Sequence, residues 1–482
     1  MLVSPCAERF GYMTSGPTRA ATRLTLNPKT IALMNGLGAM MGDPGREPVS
    51  DSPIPSGFTY IGQFIDHDVT LDVSSSLDVA TDANKVLNMR TPVLDLDSLY
   101  GRGPALDPFL YSFPTTGNST AIKFQLGTNQ TAAGPGGPAG SIGSPAGMQI
   151  KSDFDVPRIH NPLNPSTSTN TAIIGDPRND ENLIVVQFHH AMLRFHNEVV
   201  DRFLLAGFNG DIFVEAKKTV IHHYQSAVVN DFLSRICGKA TVDAALASVT
   251  APPGSPFRMP VEFAVAAYRF GHSMIRDNYW VNFNFTNASL GQVFAFNRNP
   301  NLPVLSSWVV DFNAFLDTGF PVPVHNKARK IDSVLANGLE SLPGFSGMMA
   351  ELASRNLRRG LALGLPSGQG VAKAFRIPPL TSAQLTQGLP PAEVALLQSE
   401  KALLLKRTPL WYYVLREAAV LRGGDQLGPV GGRIVAETFV RMLKRDAMSY
   451  LNASGGFTPN LPSTVAGEFA FADLVKVAKV VV

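Results

Sequence analysis

Three short stretches carry most of the groups in this chain that could do chemistry. The first is Gly62-Gln63-Phe64-Ile65-Asp66-His67-Asp68. On a helix, Gln63, Asp66 and His67 stand at i, i+3 and i+4 and share one face, whereas Asp68 is turned about 100° away. One face thus offers an amide, a carboxylate and an imidazole, and the other a lone acid. The second is Asp176-Pro177-Arg178-Asn179-Asp180-Glu181-Asn182, in which Arg178 and Glu181 are three apart, a fixed positive charge beside a carboxylate. The third is Tyr268-Arg269-Phe270-Gly271-His272, where Val265, Tyr268, His272 and Ile275 form an apolar stripe containing one histidine. Singly, each has an ordinary structural reading. A histidine on an apolar stripe is more often core than ligand, and an Arg-x-x-Glu is commonly a weak surface pair.

The elements that must position these groups read as helices. A segment near Tyr60–Val69 is helix-compatible. Asp176-Pro177 looks like an N-cap followed by a first-turn proline, with helical patterning to about Leu205. Further helices are predicted over Val214–Ile236, Pro260–Asp277, 327–341, 347–363, 391–420 and 430–451. Residues 91–101 suit an extended loop, and the apolar run Phe469–Val482 a packed tail. Residues 1–50, mixed and rich in Gly and Pro, predict an irregular N-terminal arm. Residues 127–147 are a Gly/Pro-rich, flexible surface insertion. Strand alternation is scarce, so the fold class is mainly α with very little β: a single large helical domain over residues 1–482.

Composition bounds the function. Among 482 residues the net charge is +3, with both signs interleaved, so neither nucleic acid nor an anionic membrane is an expected partner. Two cysteines, Cys6 and Cys237, exclude a disulfide framework. No run of about eighteen apolar residues predicts a membrane span. The N-terminus lacks a secretory pattern, which leaves the cytoplasm or export by a non-classical route. His189, His190, His196, His222 and His223 invite a metal-helix reading. No carboxylate-x-x-His pair repeats, however, so they are read as packing and helix-capping residues.

Together and in this order, the motifs resemble the animal-type haem peroxidases of the peroxidase–cyclooxygenase superfamily, the myeloperoxidase- and lactoperoxidase-like group, in a shorter bacterial form without the disulfides. The family's Gly-Gln-x-x-Asp-His-Asp is matched at 62–68, its Arg-x-x-Glu at 178–181, and its Arg-x-Gly-His at 269–272. Asn356 in Ala-Ser-Arg-Asn-Leu makes a fourth match. A calcium-loop pattern is matched by Thr91-Pro-Val93-Leu-Asp95-Leu-Asp97-Ser-Leu-Tyr100-Gly101, with Asp97 where the family has Ser. Gly428-Pro429 and the helix after it resemble the family's last block.

The resemblance implies a domain folded around a buried haem b, with His272 as the iron ligand and the Asn356 carbonyl holding its other nitrogen. His67 becomes the acid–base that accepts a proton from bound peroxide and returns it to the leaving oxygen. Arg178 would stabilise the developing charge, and Gln63 would orient water or a halide. Asp66 and Glu181 match positions that form ester bonds to the haem. The family's third, sulfur-mediated link falls on Asn182 and should be absent. Asp68, Thr91, the Val93 carbonyl, Asp95 and Asp97 match a Ca²⁺ site. Arg269 is expected to pair with a haem propionate or in a plain salt bridge. The implied activity is reduction of hydrogen peroxide through an oxidised haem, which then takes electrons from small organic donors, with halides or pseudohalides as further candidates. A fatty-acid dioxygenase is the alternative within the superfamily. Those enzymes carry a radical-forming Tyr three residues before the proximal His, where this chain has Arg269, and Tyr268 is one residue off. A haem-binding protein without turnover would not need His67, Arg178 and Gln63.

Overall fold

A computed structural model describes residues 8–42, 51–73, 77, 79–129, 151–159, 171–296, 303–342, 346–347 and 350–481. Helix accounts for 51% of the structure and strand for 8%, which makes the chain mainly α. The helices are α1 Gly16–Thr22, α2 Pro28–Met41, α3 Gly57–Val69, α4 Asp97–Tyr100, α5 Leu183–Leu205, α6 Ile212–Ala227, α7 Lys239–Ser248 and α8 Leu290–Ala295. They continue with α9 Leu352–Ala362, α10 Gly368–Ala374, α11 Ser382–Thr386, α12 Pro391–Lys406, α13 Leu410–Arg422, α14 Pro429–Arg445 and α15 Phe471–Val477. Described strands form only two-stranded antiparallel pairs. The longest joins Asp51–Pro55, just before α3, to Lys327–Arg329.

The buried apolar side chains form one contiguous cluster that runs through α2, α3, α5, α6, α13 and α14. Its axis is α5, fifteen of whose first eighteen positions are buried, including Leu183, Phe188 and Val199. Helix α3 packs across it, and Phe64 meets Phe188 edge-on at 5.2 Å. Helices α9 and α13 flank an irregular stretch, Glu262–Met274, which faces α3.

Several predicted helices are broken where tertiary contacts override local preference. The helix expected from Asp176 to Leu205 is a 3-10 turn, Pro177–Asp180, followed by α5. Asn182 is extended (φ −156°, ψ 163°) and caps Ile184 and Val185, so a second N-cap interrupts the run. The helix expected over Pro260–Asp277 is a π-helical turn, Glu262–Ala266, then a 3-10 stretch, Ala267–Met274, with Ala266 non-helical between them (φ −130°, ψ −77°). The segment 327–341 is strand Lys327–Arg329 and one 3-10 turn, Asn337–Glu340, because its N–H groups bond elsewhere: Ile331 to Gly424 O and Leu335 to Met41 O. The 391–420 helix is interrupted at Ser399–Ala402 and again between α12 and α13. A π-helical stretch, Val228–Gly238, ends the Val214–Ile236 helix.

The N-terminal arm is not irregular: residues 16–41 form α1 and α2. Its two described prolines, Pro17 and Pro28, sit in first turns, where a fixed φ and a missing N–H cost nothing. Asn27 and Thr30 cap α2 reciprocally. The 91–101 loop closes with the short α4 after Leu96 takes a left-handed φ of 59°. The tail forms α15. Apart from Gly127, Thr128 and Asn129, the 127–147 insertion lies outside the described residues.

Helix α2 meets α9 at Gly38. A Cβ there would lie 2.3 Å from Ser354 Oγ and 2.8 Å from the Ser354 backbone nitrogen, whereas at Gly36 its nearest neighbour is a Leu396 methyl at 3.4 Å. Gly38→Ala should therefore lower the denaturation midpoint by the equivalent of about 1–3 kcal/mol through overpacking. Gly36→Ala should leave the midpoint unchanged or raise it by up to about 1 kcal/mol. Equal shifts in urea melts would contradict this crossing.

Candidate active site

His67 lies in the last turn of α3, buried to 4% exposure. Its Nδ1 is 2.9 Å from Asn179 Oδ1, and its Nε2 is 4.0 Å from Glu181 Oε2. Burial first, and the Arg178 charge second, push its pKa down to about 3, so the ring is neutral and can accept a proton. Gln63, one turn earlier, donates from Nε2 to Glu181 Oε2 (3.3 Å) and accepts from Asn182 Nδ2 (3.2 Å). Asp66 accepts from Thr70 Oγ1 at 2.8 Å, and burial raises its pKa.

The guanidinium of Arg178 is turned away from the position that the sequence assigns it. It donates to Thr70 O (2.8 Å), to His67 O (2.9 Å) and to both oxygens of Asp176. The cause is the open end of α3, whose last carbonyls have no partners within the helix. Arg178 acts on His67 through the backbone and through its field. Asp176 is in turn bound by Arg90, which also donates to Asp97.

On the opposite wall, Asn356 Nδ2 donates to His272 Nδ1 at 2.8 Å, while Arg269 Nη1 donates to Asn356 Oδ1. The amide is therefore reversed from the expected arrangement, because Arg269 occupies its carbonyl. In a 3-10 stretch, residues i and i+3 eclipse, which stacks Arg269 on the His272 side. Arg269 also donates to Ala264 O, and burial lowers its pKa to about 10, so it remains charged at neutral pH. Trp411 Nε1 donates to Arg269 O at 3.1 Å, and the indole stands edge-on to His272.

Between the two walls is a cavity of ≈ 550 Å³ lined by both imidazoles. Asp66 and Glu181 edge it on the α3 side, and Arg269 and Arg355 bring positive charge. Phe294, Leu339 and Leu342 supply apolar surface. The volume lies within the range of cofactor pockets, about 300–1,000 Å³. The donor set suits haem: a nitrogen ligand on one side, a proton-transfer base on the other, and cations for the propionates.

Comparison with known proteins agrees. The model of the animal haem peroxidase family matches residues 78–474. The chain belongs to the animal haem peroxidase family. A dual oxidase of Drosophila melanogaster is 24% identical over 341 residues, 65% of this chain and 21% of its own length. The peroxidasin homolog pxn-2 of Caenorhabditis elegans is 27% identical, over 62% of this chain and 23% of its own. This peroxidase domain thus spans under a quarter of either relative. Among solved structures, peroxidase A of Dictyostelium discoideum superposes with a TM-score of 0.64 at 17% identity, covering 96% of this chain and 93% of that one. A rice fatty acid α-dioxygenase gives 0.58 at 12% identity, over 88% and 76%. These likenesses establish the peroxidase–cyclooxygenase fold.

In this peroxidase fold, Asp68, Asp95 and Asp97 converge, each offering a carboxylate oxygen within 4.8 Å of the others. Burial and mutual repulsion push the Asp68 and Asp95 pKa values up, and burial raises that of Asp97. Such a set could hold a hard divalent cation. Thr91 and Val93 stand in the same loop, where Thr91 N donates to Asp97 Oδ2 at 3.4 Å. Lys217 and Arg90 bring the nearest positive charge.

Four of the five remaining histidines placed on α5 and α6 do packing work or lie without a chemical partner. His196 contacts the Tyr100 hydroxyl and Ile122 O, His222 contacts Met448 O, and His223 accepts from Asn460 and Leu461 N–H. His190 is buried beside Phe154. His189 differs, since it contacts Asn179. Sequence reasoning missed Asn179, Asp176, Arg90 and Arg355. Asn179 had one available signal: a catalytic imidazole needs a partner for its second nitrogen. Tyr268 also lines the cavity, and its hydroxyl has no hydrogen-bond partner.

A depressed pKa favours the neutral ring while the chain is folded, and the unfolded chain takes up the proton below about pH 6.5. His67 should therefore show no titration between pH 8 and 5 in NMR of the folded protein. Its contribution to stability should be undiminished above pH 6.5 and decline as the pH falls towards 3. A midpoint near 6.5 in the folded state would contradict the burial described.

Proposed function

We propose that this chain is a haem-dependent peroxidase that reduces hydrogen peroxide and oxidises small electron donors, with halides or pseudohalides among the candidates. The observation that carries the reading is the pair of imidazoles, His67 and His272, on opposite walls of one cavity edged by carboxylates and arginines. Bound haem b would supply the iron that exchanges electrons with peroxide. His272 would hold that iron through Nε2, which requires its Nδ1 to carry the proton. Arg269, drawn to a haem propionate, would release the Asn356 carbonyl to accept that proton.

Neutral His67 accepts a proton at Nε2 from the near oxygen of peroxide and returns it to the far oxygen, which leaves as water. Its Nδ1 stays bound to Asn179, and Arg178 fixes its backbone. Gln63, held by Glu181 and Asn182, orients the entering molecule. Asp66 and Glu181, which line the cavity, would be the candidate ester links to the haem. Asp68, Asp95 and Asp97, with Thr91 and Val93, would hold Ca²⁺ behind His67.

Tyr268 favours a second reading, fatty-acid oxygenation, because it lines the cavity and its buried hydroxyl has no hydrogen-bond partner among the described residues. The peroxidase reading is preferred, since the position three before His272 is Arg269, tied to Asn356.

In the haem-loaded protein, His67→Ala should slow peroxide consumption by about 10²–10⁴-fold while the Soret band persists. Wild-type protein that binds haem yet consumes no peroxide, but takes up oxygen with palmitic acid, would replace this reading with the second. For the ion, the raised carboxylate pKa values mean that protons stabilise the ion-free fold, whose stability falls as pH rises. Calcium competes with those protons. Millimolar Ca²⁺ should raise the melting temperature more at pH 8 than at pH 5, by the equivalent of about 3 kcal/mol at a hundredfold excess over Kd. Asp95→Asn should abolish the gain.

A further inference from the structure

The mechanism above uses His67 Nε2 as a base, and a neutral imidazole offers that lone pair only in the tautomer with the proton on Nδ1. His67 Nδ1 meets Asn179 Oδ1 at 2.9 Å. An amide alone cannot enforce the tautomer. Turned by 180°, Asn179 would present Nδ2 to the same nitrogen and select the opposite, non-basic form. The amide's other end can fix it: Asn179 Nδ2 lies 3.1 Å from His189 Nδ1, which accepts only while that nitrogen is bare.

His189 is on α5, two turns into the helix, fully buried, and edge-on to Phe64 of α3 at 6.0 Å. Burial keeps it neutral, with its pKa pushed down to about 3. If its Nδ1 is bare, it accepts from Asn179 Nδ2, the Asn179 carbonyl faces His67, and the His67 proton sits on Nδ1. His189 then carries its own proton on Nε2. That atom is buried without a hydrogen-bond partner among the described residues, a cost that packing alone does not call for. An isolated packing histidine on α5 would do better as Leu or Phe.

We infer that His189 is a positioning residue for the distal base: through Asn179 it sets which nitrogen of His67 is basic. The step rests on the peroxidase reading for its catalytic consequence, but the tautomer itself is a property of the folded chain. His189 touches neither the cavity nor any reacting atom.

The test uses the full chain labelled with ¹⁵N-histidine, before haem is added, with resonances assigned by single-histidine variants. Wild type should show His67 protonated at Nδ1 and His189 protonated at Nε2. The reverse for either ring overturns the inference without any variant. In His189→Leu the acceptor is lost, and His67 should become a mixture of tautomers. In His189→Asn, whose Oδ1 falls near the former Nδ1, the Nδ1–H form of His67 should return. After haem loading, kcat for peroxide consumption should fall about 10–100-fold in His189→Leu with KM unchanged, as for other residues that orient a functional histidine. It should recover most of that in His189→Asn. An unaltered His67 tautomer in a folded His189→Leu protein would refute the inference. Peroxide inertness of the wild type would instead refute the peroxidase reading and leave the tautomer result standing.

Discussion

A helix that delivers a cavity-lining side chain from its final turn has a built-in weakness, since its last carbonyls lack partners and the turn tends to fray. In α3 that turn holds His67, and the structure closes it from outside. Arg178 takes the carbonyls of His67 and Thr70, and the Asn88 side chain takes that of Val69. Asp176 neutralises Arg178 while capping the 3-10 turn that carries it, and Arg90 ties Asp176 to Asp97 in the acidic loop. The guanidinium is thus a clamp on the helix as well as a charge beside the imidazole. Without it the depth of His67 in the cavity would be undefined, and so would its distance from Asn179 and Glu181.

The two walls of the cavity achieve order differently. The α3 wall is a regular helix stabilised at its end. The His272 wall is irregular, passing from a π turn to a 3-10 stretch at Ala266, and is held by its neighbours: Trp411 on Arg269 O, Asn356 on His272, and Phe263 stacked on Tyr268 at 4.6 Å. The same fold serves peroxidases and fatty acid α-dioxygenases, so chemistry here is decided by a few side chains rather than by architecture. Whether Arg269 or a tyrosine occupies the place three residues before the histidine is one such choice.

Much of this was legible in the sequence. Gln63, Asp66 and His67 share a face because α3 keeps an ordinary helical period, and Asp68 points to the acidic loop for the same reason. The predominance of helix followed from the scarcity of alternation. Other features were hidden because they are set by contacts distant in sequence. Ala266 breaks a segment whose apolar pattern reads as one helix. Asn182 is an N-cap inside a run that already had one. The orientation of the Asn356 amide depends on Arg269, 87 positions away. The N-terminal region misled for a simpler reason, since prolines that begin helices resemble prolines that prevent them.

That region has a bearing on how the molecule could be trimmed. Gly38 lets α2 lie against Ser354 at backbone distance, and Ser354 is two residues before Asn356 and next to Arg355 on α9. Residues 16–41 therefore form the outer scaffold of the His272 wall. A shortened chain designed by deleting them would keep His67 and His272, yet it would leave the helix behind His272 unsupported.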